Sequence, residues 1–331
     1  MPEIRRDILT GQWIILADNR MGKPYDFEFM KPQKEIVKVC SFCPGNEHMT
    51  TETIYEEKDD SGWVIRVFAN KYPAVEWERE EEYSFSEDDV NVFGKAAGRH
   101  EIIVDTPEHA GKIQDFSIER YDLLLKALRE RYRDMSKEKI IKYIHIFKNC
   151  GAGAGASISH SHWQMIGIPF IPKENEEVMK ASEKYFRENG KSIFESIIES
   201  EKKCGKRVVS ENDRFIAFAP FASRFAFELT VMDKEGGQNF GQFSDEKIDE
   251  LCGIFKDSVV RVSRVMRDVC FNISFNDAPL RQESSSYNHW CVRIIPRIGN
   301  LAGFELGTGG YINPVFPETA AEFYRSLKIE E

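Results

Sequence analysis

Residues Asn149 to Pro169 read NCGAGAGASISHSHWQMIGIP. Glycines at 151, 153 and 155 and a serine at 157 stand before two histidines spaced i and i+2, His160 and His162, with Gln164 two further on. Along a strand, successive side chains point to opposite faces, so His160, His162 and Gln164 line one wall while Ser159, Ser161 and Trp163 line the other. Glycines without a Cβ let backbone N–H groups come close to an anion, and Ser157 adds a hydroxyl donor. A bare H-x-H pair is an ordinary strand feature. With the glycines, serine and glutamine in register it reads as a phosphate-handling site in which an imidazole faces the phosphorus.

The pattern returns later in the chain. KNCGAGAGASISHSHWQMIGIP falls over FNDAPLRQESSSYNHWCVRIIP without a gap, matching Asn149 to Asn276, Ser157 to Ser284, His162 to His289, Trp163 to Trp290 and Pro169 to Pro296. The order of elements repeats as well: hairpin strands, amphipathic helix, strand, loop, strand. This predicts a duplicated α+β unit, with a mainly antiparallel sheet flanked by helices. The first unit spans residues 1–171 and the second 172–331, the seam falling at the charge-rich segment after Pro172. In the second copy the glycines are gone, the first histidine is Tyr287 and the glutamine is Cys291. The complete chemical site is therefore expected in the first unit only.

At 331 residues the chain can bury a large core, and its formal net charge of −10 disfavours a general nucleic-acid binder, which needs broad basic surface. A small anionic substrate needs only a few local cations. No apolar run reaches the roughly 18 residues of a membrane span, and MPEIRRDILTGQW has no apolar signal region, so a cytoplasmic protein without a membrane partner is expected. The seven cysteines, an odd number with one close pair, point to a reducing compartment.

That pair, Cys40 and Cys43 in VCSFCPGNEHM, has the spacing that lets two thiolates share one tetrahedral metal. Pro44 and Gly45 lead into a loop, which disfavours a redox role needing a helix N-terminus. His48 is the nearest further ligand, and His100 in GRHEIIVDTPEH and His160 compete with it. Upstream, Arg20 and Lys23 could clamp a pyrophosphate. The stretch between His109 and Lys142 has the apolar spacing of an amphipathic helix, and YIHIFKN is the strand entering the glycine run, with His145 read as a core histidine.

Together RRDILTGQWIILADNR, CSFCPGNE, RVFANKYPA, GRHEIIVDTPEH, GASISHSHWQ, FIAFAPFASRFAFE and AGFELGTGGYINPVFPE run over almost the whole chain. In these motifs the sequence resembles the galactose-1-phosphate uridylyltransferase family, the nucleotidyl-transferase branch of the histidine triad superfamily. The resemblance implies that His162 is the nucleophile and that Cys40, Cys43, His100 and His160 bind one structural zinc, displacing His48. It further implies that Arg20 and Lys23 meet substrate phosphates, Ser157 and Gln164 the reacting phosphoryl oxygens, and Phe68, Asn70 and Asn149 the nucleoside side. Phe304 and Glu305 would approach the sugar from the partner subunit of a homodimer. Two departures stand out: Ser161 replaces a frequent proline between the histidines, and Lys23 a frequent arginine. The second half lacks the cysteine pair and all but His289 of the histidines of a second metal site found in some members, so that metal is expected to be absent.

The implied reaction is nucleotidyl transfer between a nucleoside diphosphate sugar and a hexose 1-phosphate. A neutral imidazole whose one N–H is held by a backbone carbonyl presents its other nitrogen as nucleophile near neutral pH. An amide at 164 cannot deliver a proton, but a sugar phosphate leaves as a stable anion without one. Gln164 suits stabilisation of phosphoryl oxygens instead, a role that contributes about 3 kcal/mol per donor at comparable sites. The leading expectation is a UDP-glucose:hexose-1-phosphate uridylyltransferase working through a uridylyl-histidine. The rivals are an ADP-glucose phosphorylase, which GFELGTGGYINPVFPE also resembles, and a zinc-stapled nucleotide-binding protein without turnover.

Overall fold

The computed structural model describes residues 2–18, 39–76, 84–87, 89–237, 239–281 and 289–329. Its strands are β1 (Glu3–Arg6), β2 (Trp13–Leu16), β3 (Thr53–Asp59), β4 (Gly62–Ala69), β5 (Ser86–Glu87), β6 (Val92–Phe93), β7 (Arg99–Val104), β8 (Tyr143–Cys150), β9 (His162–Ile168), β10 (Val208–Glu211), β11 (Phe215–Phe218), β12 (Leu229–Asp233), β13 (Phe271–Asn276), β14 (Cys291–Pro296) and β15 (Tyr311–Asn313). The helices are α1 (Ile118–Ser136), α2 (Lys173–Asn189), α3 (Ile193–Cys204), α4 (Asp245–Ser263), α5 (Gly303–Thr308) and α6 (Pro317–Ser326).

A 10-stranded sheet in the order β10-β11-β12-β14-β13-β8-β9-β7-β4-β3 organises the molecule. All its pairings are antiparallel. Read outward from the middle, β8-β9-β7-β4-β3 repeats as β13-β14-β12-β11-β10. The expected repeat of element order is therefore realised as two half-sheets joined edge to edge, with Asn272 opposite Asn149 and Ile273 opposite Lys148 at the join.

One face of the sheet is closed by α1 and α4. Ser117 caps α1 by accepting from the Arg120 amide, and Ser244 caps α4 by accepting from that of Lys247. Tyr121, Leu124, Leu125, Leu128, Tyr132 and Met135 form the apolar stripe of α1, while Ile248, Leu251, Phe255, Val259 and Val262 form that of α4. Both stripes join Trp163, Met165, Phe275 and Trp290 from the sheet in one core. On the other face α2 and α3 shelter Phe218 and Met232. A cavity of about 1340 Å³ opens there, lined by Tyr143, His145, Ile166, Glu174, Arg224 and His289 among others. His145 thus lies on the cavity face, between the rings of Tyr143 and Phe147, rather than in the core under α1. The alternation of β8 turns Ile144 and Ile146 inward and leaves residue 145 outward. No helix among the described residues is long and apolar enough to cross a membrane.

Candidate functional site

The site forms where β8 turns into β9. Gly151 and Gly155 adopt φ of +87° and +88°, the left-handed region that suits residues without a Cβ. A Cβ on Gly151 would also lie 2.5 Å from Cys270 Sγ. The turn closes on itself, since the amides of Ala154 and Ala156 donate to Gly151 O and that of Gly155 to Ala152 O. These three amides hold the turn together. Ser157 is exposed, and Asn149 is half-buried with its Oδ1 accepting from Asn272.

His162 opens β9 and is buried. Its Nδ1–H donates to the carbonyl of His160 at 2.8 Å, which leaves Nε2 unprotonated. Burial, aided by the Lys148 ammonium, pushes its pKa down to about 4, so the ring is neutral at physiological pH. Lys148, itself buried, donates to Asp105 at 2.7 Å, to Ser161 Oγ at 2.8 Å and to the carbonyl of His162 at 3.2 Å. Trp163 Nε1–H also donates to Asp105, at 3.0 Å. This buried Lys–Asp pair fixes the backbone that carries His162. Sequence reading missed it, because the partners are distant in the chain and nothing local marks them.

His160 lies just before β9 rather than on it, in a bend, so it does not share a strand face with His162. Its Nε2–H donates to Thr106 O at 2.8 Å, leaving the Nδ1 lone pair 3.6 Å from both Cys40 Sγ and Cys43 Sγ. The fourth member is His109, with Nδ1 3.5 Å from Cys43 Sγ. Cys40, Cys43, His109 and His160 have their ligand atoms all within 4.8 Å of one another and could hold a metal ion.

His100 does not belong to that group, which corrects the expected ligand set. In the β7–β9 register Val104 pairs with His162 but His100 with Ile166. At about 3.3 Å per residue, four residues set His100 roughly 13 Å back along the strand. His109 is carried to the cluster by the loop after β7. His100 instead meets Gln164, its Nε2 lying 2.9 Å from Gln164 Oε1, and burial lowers its pKa.

Phe68 is a core side chain, 2 % exposed, edge-on to Phe42, whose ring meets His162 with centroids 5.3 Å apart. Asn70, just past β4, orders the following turn by accepting from the Tyr72 amide and turns its NH2 toward His100. Phe304 is exposed on α5, and Glu305 caps that helix through Ala302 N and receives Ile312 N. Arg20 and Lys23 lie outside the described residues.

Residues 40–326 match the model of a family described as a domain of unknown function, DUF4921. An ADP-glucose phosphorylase from Arabidopsis thaliana is 32% identical over 99% of this chain and 93% of its own length. The galactose-1-phosphate uridylyltransferase of Thermotoga maritima is 28% identical over 100% of both. A crystal structure of an Arabidopsis thaliana ADP-glucose phosphorylase with bound ADP-glucose superposes with a TM-score of 0.84 at 30% identity, covering 99% of this chain and 100% of that one. The chain belongs to the galactose-1-phosphate uridylyltransferase-like family of the histidine triad superfamily, and it is a nucleotidyltransferase.

Proposed function

We propose that the protein transfers a nucleotidyl group from a nucleoside diphosphate hexose to a phosphorylated acceptor through a covalent intermediate on His162. The observation that carries this is the Nδ1–H of His162 held by a backbone carbonyl in a buried, neutral ring. Its Nε2 attacks the α-phosphorus in line, the bond to the departing hexose 1-phosphate breaks, and the acceptor then attacks from the vacated side as the P–N bond breaks. Gln164 donates from its amide NH2 to the phosphoryl oxygens. Ser157, Asn149 and Asn70, with Arg20 and Lys23, make up the remaining substrate contacts. Phe68 acts from behind, as the support of Phe42. Phe304 and Glu305 serve the site of the partner in a homodimer.

Two acceptors fit this chemistry. Uridylyl transfer between UDP-glucose and a hexose 1-phosphate is supported by the full-length likeness to the Thermotoga enzyme. Adenylyl transfer from ADP-glucose to phosphate is favoured by the higher identity to the Arabidopsis phosphorylase. Intact mass after brief exposure to UDP-glucose and, separately, ADP-glucose distinguishes them. A UMP or AMP adduct on wild type and none on His162→Ala is the expected result. No adduct with either donor on metal-loaded protein overturns the reading.

The metal we assign to Cys40, Cys43, His109 and His160 is zinc. Bond lengths of about 2.3 Å to sulfur and about 2.05 Å to nitrogen place tetrahedral S and N ligands about 3.5 Å apart. The S···N separations here are 3.5 and 3.6 Å. Zinc held there supplies a structural link between the 40–43 turn and the backbone at His160, whose carbonyl orients His162. We also read the chain as two duplicated units, 1–171 and 172–331, on the repeated strand order and the ungapped match of the two strand-loop-strand segments.

A further inference from the structure

We infer that His100 is a positioning residue that fixes which end of the Gln164 amide faces the substrate. The kinetic consequence rests on the nucleotidyl transfer proposed above; the geometry does not. A backbone amide can only donate, and the N–H of Ala74 points at His100 Nδ1 from 3.2 Å. That nitrogen must therefore carry a lone pair, which puts the ring proton on Nε2. Nε2–H in turn faces Gln164 at 2.9 Å, and only an oxygen can accept there, since an amide nitrogen would set two donors against each other. The carboxamide is thus locked with its oxygen toward β7 and its NH2 turned away.

Gln164 sits two residues beyond His162 on the same strand, so their side chains share a face. With the opposite tautomer of His100 the amide would turn over and present an oxygen to the phosphoryl anion, replacing a donor with a repulsive contact. Asn70 closes the other side of the ring. Its Oδ1 accepts from the Tyr72 amide at 2.9 Å, and its NH2 lies 3.4 and 3.2 Å from the two ring nitrogens, near-equal distances that place it over the ring and not in line with Nε2–H. One fixed main-chain donor on the 70–74 turn therefore determines, through His100, the polarity of a side chain on β9.

Nitrogen-15 NMR of the imidazoles, with His100→Gln to assign the signal, reads the tautomer directly. A proton on Nε2 is expected, and one on Nδ1 overturns the inference whether or not the protein turns over. For the consequence, His100→Phe keeps the ring and removes the donor. Nucleotidylation of His162 from the better of UDP-glucose and ADP-glucose should slow by ~10-fold or more, with donor binding and zinc content little changed. Added to Gln164→Ala, the same change should cost almost nothing further. His100→Gln, which retains an N–H donor, should recover much of the rate. Additive losses in the double variant, or zinc lost from His100→Phe, overturn the inference. Wild type that forms no adduct while keeping the Nε2–H tautomer removes the functional reading and leaves the positioning intact.

Discussion

The two central hairpins, β8–β9 and β13–β14, share strand order and a His-Trp pair, yet differ in which imidazole nitrogen is engaged. His162 gives Nδ1–H to a carbonyl two residues back and leaves Nε2 bare. His289 has Nε2 engaged with Asp233 O, and its ring is stacked on Phe194 at 4.7 Å. Behind them, Lys148 pairs with Asp105 in the first half and Lys247 with Asp233 in the second. Lys148 also holds the carbonyl of His162 itself. Trp163 Nε1 reaches Asp105, whereas Trp290 Nε1 has no partner among the described residues. In the proposed mechanism it is the nitrogen left over by the local hydrogen bonds, not the shared scaffold, that makes the nucleophile.

The comparison breaks most sharply at the two histidines. His162→Ala should lower turnover by at least ~10⁴-fold, the scale seen when a covalent nucleophile is removed. His289→Ala should leave the rate within a few fold while lowering stability by about 2 kcal/mol through lost stacking. Steady-state rates and denaturant melts of the two variants check both statements. Comparable rate losses would mean that the second half takes part in the chemistry.

Removal of the metal comes next. Chelation, or His109→Ala, should release one zinc and destabilise the first half by about 5 kcal/mol or more, with activity lost in parallel. His100→Ala should keep its zinc. Metal content with melting curves decides this, and full activity after verified zinc removal would contradict the structural role.

The two buried lysines sharpen the contrast further. Lys148→Met and Lys247→Met each strand a buried carboxylate, so each should cost about 3–5 kcal/mol of stability. The Lys148 variant, unlike the Lys247 one, should also slow nucleotidylation at temperatures where both remain folded, because Lys148 braces the carbonyl of His162.

A pH dependence, without effect on the chemistry, comes last. Asp277 is buried, with its oxygens accepting from the amides of Phe240 and Ala278, and burial pushes its pKa up to about 7. Its folded value exceeds the unfolded one near 4, so its contribution is fully present below about pH 4 and is lost as pH rises through about 7. Urea melts should show stability falling by roughly 2–4 kcal/mol across that window, and the slope should flatten in Asp277→Asn.

Much of this was legible in the sequence. The repeat of NHWCVRIIP on SHSHWQMIGIP announced the paired hairpins, and the spacing of Leu124, Leu128 and Met135 marked α1. What failed needed register. The sequence contains both His100 and His109 in GRHEIIVDTPEH, but which one reaches Cys43 depends on how β7 slides against β9. The glycine run was legible as a turn, whereas the internal use of its amides was not. Lys148 and Asp105 carry no local signal, because an ion pair between strands is a product of pairing.

The join itself has a further consequence. Residues 143–150 are an interior strand only because residues 271–276 cover their free side. A first half released by cutting the chain near 171 would expose that row of N–H and C=O groups as an open edge, ready to recruit another copy. The second half lacks the glycines and the glutamine but keeps the strand. That strand keeps the hairpin carrying His162 from becoming the rim of a sheet. Amide exchange should accordingly be slowest at β8 and β13, in the middle of the sheet where the chemistry is anchored.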